Sequence, residues 1–165
     1  MADPPAGFRL LFLCTGNTCR SPLAEAIAHR EADRRGLTGI EISSAGVAAA
    51  GGLPASEGSV RSARRHGLSL DDHRSRALTA EAVAEADLIL AMAPGHLPRV
   101  EAWGGADRAW LITEFVHGAP AEPAYDQGVP DPFGGGEVIY EETFHVLEIL
   151  VAGALDRLAD ERSDG

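Results

Sequence analysis

Cysteine is scarce in this chain. Its 165 residues hold two, Cys14 and Cys19, and both fall inside one stretch, LCTGNTCRSP at 13–22. A structural zinc site usually takes four ligands, and no third cysteine exists to join these two. The six histidines, His29, His66, His73, His96, His117 and His145, are scattered along the sequence, so no metal and no other cofactor is expected. Basic charge is short as well: 14 basic residues stand against 25 acidic ones, a net charge of −11. Such a surface field disfavours nucleic acid and anionic membrane as partners, although a local basic pocket can override it. No apolar run approaches the roughly 20 residues of a membrane span. The opening MADPPAGFRLLFLC carries an apolar stretch too short for an export signal, with Asp3, Pro4 and Pro5 where a basic leader would stand. The expected compartment is the cytoplasm, where a structural disulfide is disfavoured. The Gly-Lys-Ser/Thr of a nucleotide-binding loop is missing too.

What is present reads as an ordinary globular chain. Apolar residues make up 45% and charged ones 24%, and this length suits one domain, taken as 1–165, better than two. FRLLFLC reads as a buried strand bounded by a glycine-containing turn. Ser21 and Pro22 are suited to cap and open a helix that Gly36 ends. IEISSAG is the next strand, SEGSVRSARRHG a helix stopping at Gly67, and DDHRSR a polar loop. Thr79 caps TAEAVAEA, DLILAM and AWLI read as strands, and 94–103 is loop or short helix. The stretch 118–136 is one long irregular segment rich in glycine and proline, of a length that compact domains usually keep for function. From Glu137 to about Asp160, Tyr140, Phe144, Leu147, Val151, Leu155 and Leu158 keep helical spacing. Alternating strands and helices imply an α/β fold, a parallel sheet covered on both faces. Ligands then bind beyond the carboxyl ends of the strands, where strand order reverses.

The cysteine-bearing loop lies at such a place. A loop curling from a strand into a helix N-terminus turns successive N–H groups inward and binds an anion. Gly16 and Asn17 tolerate the left-handed geometry this needs, and Arg20 offers a planar fork for two phosphate oxygens. The same field favours the thiolate of Cys14, and a Ser21 hydroxyl within reach would favour it further. Cys14 thus reads as a nucleophile at the floor of a phosphate site.

CTGNTCRSP resembles the active-site loop of the low-molecular-weight protein tyrosine phosphatase family. SSAG at 43–46, DDHRSR at 71–76 and DPFGG at 131–135 resemble further motifs of that family, in its order and across nearly the whole chain. The resemblance implies a single-domain three-layer fold with a four-stranded parallel sheet, no metal, and a two-step reaction through a phosphocysteine. In that reading Cys14 attacks phosphorus, and Arg20 with the amides of Thr15, Gly16, Asn17, Thr18 and Cys19 holds the phosphoryl oxygens. Asp131 protonates the leaving group. Asp126 is its rival, but Pro130 and Pro132 hold Asp131 steady and the family motif falls on it. Asn17, Ser21, Ser44 and His73 would form the network that fixes loop and thiolate; singly, His73 reads as an exposed loop residue and Ser44 as a strand end. Cys19 would be the redox partner that traps an oxidised Cys14 in a reversible disulfide.

Within the family, the sequence is most similar to the bacterial protein arginine phosphatases. Thr18 stands where tyrosine-directed members commonly carry an aliphatic residue, and Phe133 is followed by Gly134 where they often place a second aromatic. Both residues are expected in the substrate pocket. Phosphorylated proteins are the expected partners and a monomer the expected state. A tyrosine phosphatase is the alternative. An arsenate reductase is more distant, because the thioredoxin-coupled ones use further downstream cysteines. A non-catalytic phosphoprotein-binding module would be expected to lose Cys14 or Asp131, and both are present.

Overall fold

Alternation along the first strand dictates the layering. In β1 (Phe8–Cys14), Leu10, Phe12 and Cys14 enter one apolar cluster while Leu11 and Leu13 enter another, so both sheet faces are buried. The computed structural model describes residues 7–118 and 128–163. Four parallel strands, β1, β2 (Ile40–Gly46), β3 (Leu88–Ala91) and β4 (Ala109–Leu111), lie in the order β2-β1-β3-β4. The four-stranded parallel sheet expected from the sequence is therefore present. Chain order reverses at β1, whose neighbours are β2 on one side and β3 on the other, and Cys14 is its last residue.

Helices α1 (Arg20–Arg34), α2 (Glu57–Arg65), α5 (Ile112–His117) and α6 (Glu137–Ser163) contribute to the larger cluster, around Phe12, Leu23, Ile27 and Phe144. Helices α3 (Ala80–Glu85) and α4 (Leu97–Ala102) cover the other face through Val83 and Val100. Each large apolar side chain so buried contributes about 1.5–3 kcal/mol. Among the described residues no helix is long and apolar enough to cross a membrane.

Two helix ends depart from expectation. Ser21 does not cap α1; it is the second helical residue, and Cys19 stands at the cap with no side-chain bond to the helix. The first N–H groups of α1 are thereby left for something else to satisfy. Pro22 still fits, since a first-turn residue needs no N–H partner. At the other end Gly36 adopts φ 63° and Leu37 N–H reaches Ala32 O, closing the helix as expected. Ser56 and Thr79 cap α2 and α3 by accepting from Ser59 N and Ala82 N. The fourth strand stops at Leu111, and Ile112, read as strand, opens the unanticipated α5. Helix α6 runs three residues past Asp160 to Ser163.

Helix α2 is fastened to α6 by charge. Glu141 accepts from Arg65 and Ser62 through Oε1 and meets His66 Nε2 through Oε2. Burial alone raises the pKa of this carboxyl, but the bonds from His66, Arg65 and Ser62 together hold it at about 2.

Candidate active site

The loop after β1 is held from outside, by its carbonyl groups. Cys14 O accepts from Val47 N at 3.0 Å, Thr15 O from Ala48 N at 2.9 Å and Thr18 O from Ser56 N at 2.8 Å. Asn17 O lies 2.7 Å from His73 Nε2, which must donate to it. Cys19 O receives the Ser59 hydroxyl at 3.2 Å. In a trans peptide the following N–H points opposite to the carbonyl. The amides of Thr15, Gly16, Thr18, Cys19 and Arg20 therefore turn inward, away from these tethers. With the uncapped start of α1 behind them they form an anion cradle.

Asn17 supplies the bend; Gly16, expected to share the left-handed geometry, does not adopt a positive φ. The Asn17 φ of 56° is left-handed, a conformation that asparagine tolerates better than most residues. Its buried amide knits three segments together: Nδ2 donates to Ser21 Oγ and to Ser44 Oγ, both at 2.9 Å, and Oδ1 accepts from Arg76 N at 3.0 Å. Ser21 Oγ is in turn 2.8 Å from Cys14 Sγ. Ser44 Oγ donates to Glu25 Oε2 at 3.2 Å, and His73 Nδ1 lies 3.9 Å from the same oxygen. The sequence reading brought Asn17, Ser21, Ser44 and His73 into one network, and they meet here. The His73 ring is not an exposed loop side chain; it is 8% accessible.

Close approach explains Gly46 at the end of β2. A Cβ there would lie 2.4 Å from Thr15 O and 2.9 Å from Asn17 N, both backbone atoms of the cradle. Since catalysis is sensitive to displacements of about an ångström, Gly46→Ala is expected to lower kcat/KM roughly 10- to 100-fold. Steady-state kinetics beside a thermal melt would separate this from unfolding.

Arg20 links the cradle to the far segment. Nη1 donates to Val129 O at 2.9 Å, and Val129 N is itself bonded to Met92 O at the end of β3. Nη2 lies 3.7 Å from Asp131 Oδ2. Oδ1 of Asp131 accepts from Phe133 N at 3.1 Å, which fixes the carboxylate over the pocket. Cys14, Thr15, Gly16, Thr18, Cys19, Arg20, Asp131 and Phe133 together line a cavity of about 230 Å³. Phe133 stands 77% exposed at its rim. The rival acid, Asp126, lies outside the described residues. Both cysteines are free thiols; Cys19 Sγ sits 3.3 Å from Ser56 Oγ and 3.5 Å from Tyr140 Oη.

Three members of the site, His96, Glu25 and Arg76, escaped the sequence reading. His96, in the turn after β3, accepts from Ala93 N through Nδ1 at 3.1 Å, and its Nε2 lies 2.9 Å from Thr15 Oγ1. Burial, aided by the positive charge of Arg20 and opposed by Asp131, lowers its pKa to about 4. The neutral ring must then carry its proton on Nε2 and donate to Thr15, freeing the threonine hydroxyl to donate into the cavity. Nothing in the spacing of residues 15 and 96 signals this pairing; only the adjacency of β1 and β3 makes it. Glu25 and Arg76 gave no signal either, because they meet Ser44, His73 and Asn17 only across distant segments.

The profile of the low molecular weight phosphotyrosine protein phosphatase family matches residues 9–164. The chain belongs to that family. It is therefore a phosphatase. Among relatives in the low molecular weight phosphatase family, a protein-arginine-phosphatase of Geobacillus stearothermophilus is 38% identical over 156 residues, covering 93% of this chain and 95% of that protein. The low molecular weight protein-tyrosine-phosphatase Etp of Escherichia coli strain K12 is 34% identical over 141 residues, 84% of this chain and 86% of its own length. A solved structure of the YwlE arginine phosphatase, in a cysteine-to-serine mutant with a phosphorylated active site serine, aligns with a TM-score of 0.83 at 34% identity, over 94% of this chain and 99% of that one.

Proposed function

We propose that this low molecular weight phosphatase hydrolyses phosphoarginine in proteins through a phosphocysteine, with Cys14 as nucleophile, Arg20 and the loop amides as phosphoryl clamp, and Asp131 as general acid. The observation that carries the reading is the cradle: amides turned inward around Cys14 Sγ, with Arg20 and Asp131 lining the same cavity. In the first step the Cys14 thiolate attacks phosphorus and the P–N bond breaks. The electron pair leaves on the guanidine nitrogen, which takes the proton of Asp131. In the second step the Asp131 carboxylate removes a proton from water, the hydroxide forms a P–O bond, and the S–P bond breaks to return the thiolate and phosphate. Ser21, 2.8 Å from Sγ, steadies the thiolate in both steps. Charge in the equatorial oxygens is met by Arg20 and preorganised amides, which need no reorientation as it develops.

Thr18, on the cavity wall, supports a guanidinium leaving group over a phenol. Its hydroxyl can pair with substrate N–H groups, and the small side chain leaves room for a flat cation. Isoleucine would remove that partner, and an unpaired polar group in a desolvated site costs about 1–3 kcal/mol, roughly 5- to 150-fold in rate. Thr18→Ile is therefore expected to lower kcat/KM for phosphoarginine and to shift preference towards phosphotyrosine. The measurement is the ratio of the two specificity constants in both proteins. An unchanged ratio, or a wild type that prefers phosphotyrosine, would favour the tyrosine reading, to which exposed Phe133 lends an aromatic wall.

Cys19 is assigned a protective role. Should a peroxide oxidise Cys14 to a sulfenic acid, attack by the Cys19 thiol would form the disulfide and release water, keeping the nucleophile recoverable by thiols. The same reading takes 1–165 as one domain, working as a cytoplasmic monomer without nucleic acid or membrane partners.

A further inference from the structure

The fold brings His66 to Glu141, 75 residues further along the chain, and to His145, gathering three side chains that are able to ligate a metal and that the phosphatase site does not use. His66 closes the C-terminal end of α2; Glu141 and His145 stand one turn apart on α6. One ligand atom from each lies within 4.8 Å of the others. Glu141 Oε2 is the hub, 2.8 Å from His66 Nε2 and 3.9 Å from His145 Nε2. None of the three lines the Cys14 cavity.

We propose that His66, Glu141 and His145 form a binding site for a divalent transition-metal ion of the zinc type, which clamps α2 to α6. Two imidazole nitrogens and one carboxylate oxygen are the donors that such borderline ions prefer, and three protein ligands leave a fourth position to water. On a tetrahedral ion, ligands about 2.1 Å from the metal stand roughly 3.4 Å apart. The 3.9 Å gap to His145 closes by a modest rotation of that ring, whose side chain is 60% accessible, while the 2.8 Å gap between His66 and Glu141 widens slightly to admit the ion.

The surroundings orient the donors. Glu141 Oε1 is occupied by Arg65 Nε at 2.6 Å and Ser62 Oγ at 3.0 Å, which leaves Oε2 turned to the two rings. The His66 ring is stacked on Phe144 at 3.9 Å and 8°, so its Nε2 has a fixed direction. His145 Nδ1 faces Glu148 Oε1 at 3.8 Å, placing a carboxylate behind the ring on the side away from Nε2. Partners of this kind orient metal-bound histidines and raise their basicity. The positive charge of Arg65 is shared with Glu137, 2.9 Å from its Nη1. A metal-free alternative exists for the same atoms, a plain His66–Glu141 ion pair, and it predicts no uptake.

The ion would act on the frame and not on the chemistry. Helix α2 begins beside the phosphate cradle, where Ser56 N–H holds Thr18 O and Ser56 Oγ meets Cys19 and Tyr140. Tying its far end to α6 therefore stiffens one of the walls that tether the loop.

The test uses the full chain, stripped with chelator and titrated with Zn²⁺ by calorimetry and by thermal melting, and with Co²⁺ by visible absorption. One equivalent is expected to bind and raise Tm. His145→Ala, at an exposed position, and Glu141→Gln should each weaken binding on the order of tenfold or more. The cobalt spectrum should lack sulfur-to-metal charge transfer. Equal affinity in both variants, a thiolate-type spectrum reporting capture by Cys14 and Cys19, or no uptake at micromolar zinc would each overturn the site. Failure here leaves the phosphatase reading untouched, since that reading requires no metal.

Discussion

Replacing Cys14 by serine is expected to abolish turnover, by on the order of 10⁴–10⁶-fold, while phosphate still binds. The cradle is built from backbone amides and Arg20, none of which the substitution removes, so binding of inorganic phosphate by calorimetry should survive. Ser21 loses a thiolate neighbour but keeps its bond from Asn17 at 2.9 Å, so the loop should keep its shape. A thiol is a far stronger acid than an alcohol, which makes thiolate both the better nucleophile and the better leaving group. The variant should therefore fail most severely at the second step, where the serine oxygen would have to leave phosphorus. The solved YwlE mutant bears a phosphorylated serine at its active site, and the same adduct is expected here. Mass spectrometry after incubation with a phosphorylated protein would find one added phosphoryl group that does not turn over. Wild-type activity in the variant would remove Cys14 from the mechanism. In the wild type, a denaturing quench at alkaline pH should instead trap phosphocysteine, and chelators should leave the rate unchanged.

Asp131→Asn is expected to slow the first step about 10²–10⁴-fold on phosphoarginine. Asparagine keeps the shape and can keep the bond that Oδ1 accepts from Phe133 N, so the cavity should persist. What it lacks is a transferable proton. The loss should depend on the leaving group: a strongly basic guanidine needs the proton, whereas a nitrophenolate departs largely without it. Comparing kcat for the two substrates in both proteins measures this directly. Because Oδ2 also lies 3.7 Å from Arg20 Nη2, Asp131 could act by orienting that guanidinium alone. An equal loss on both substrates would identify that role and reject the acid. Asp126→Asn serves as the companion, and a larger effect there would reassign the proton.

The parts of this site that were legible in the sequence are those whose chemistry is local. Cys14, Gly16, Asn17 and Arg20 sit within one turn between a strand and a helix, and residue type with spacing announces an anion cradle. The strands were legible because β1 from Leu10 onward and all of β3 are uninterrupted apolar runs, as expected of a sheet buried on both faces. Legibility fails where two segments meet only through the sheet. His96 pairs with Thr15 across 81 residues, and Glu25 reaches Ser44 and His73 from the middle of α1. Ser21 misled for a related reason. A serine before a proline at a helix start looks like a cap, but here its hydroxyl is claimed by Cys14 and Asn17, which only the folded loop brings near. Gly46 sat within the quoted SSAG motif without its reason; the crowding that requires it comes from a loop 30 residues upstream.

The carbonyl tethers of the cradle carry a last consequence. Cys14, Thr15, Asn17, Thr18 and Cys19 are each anchored to residues between 47 and 73, and these tethers hold Asn17 in its left-handed backbone. The anion receptor is thus a cast whose mould is the neighbouring chain. An excised peptide spanning 13–22 would carry every chemically active loop residue and hold none of the shape. Grafting the motif onto another strand and helix would fail in the same way unless the mould travelled with it.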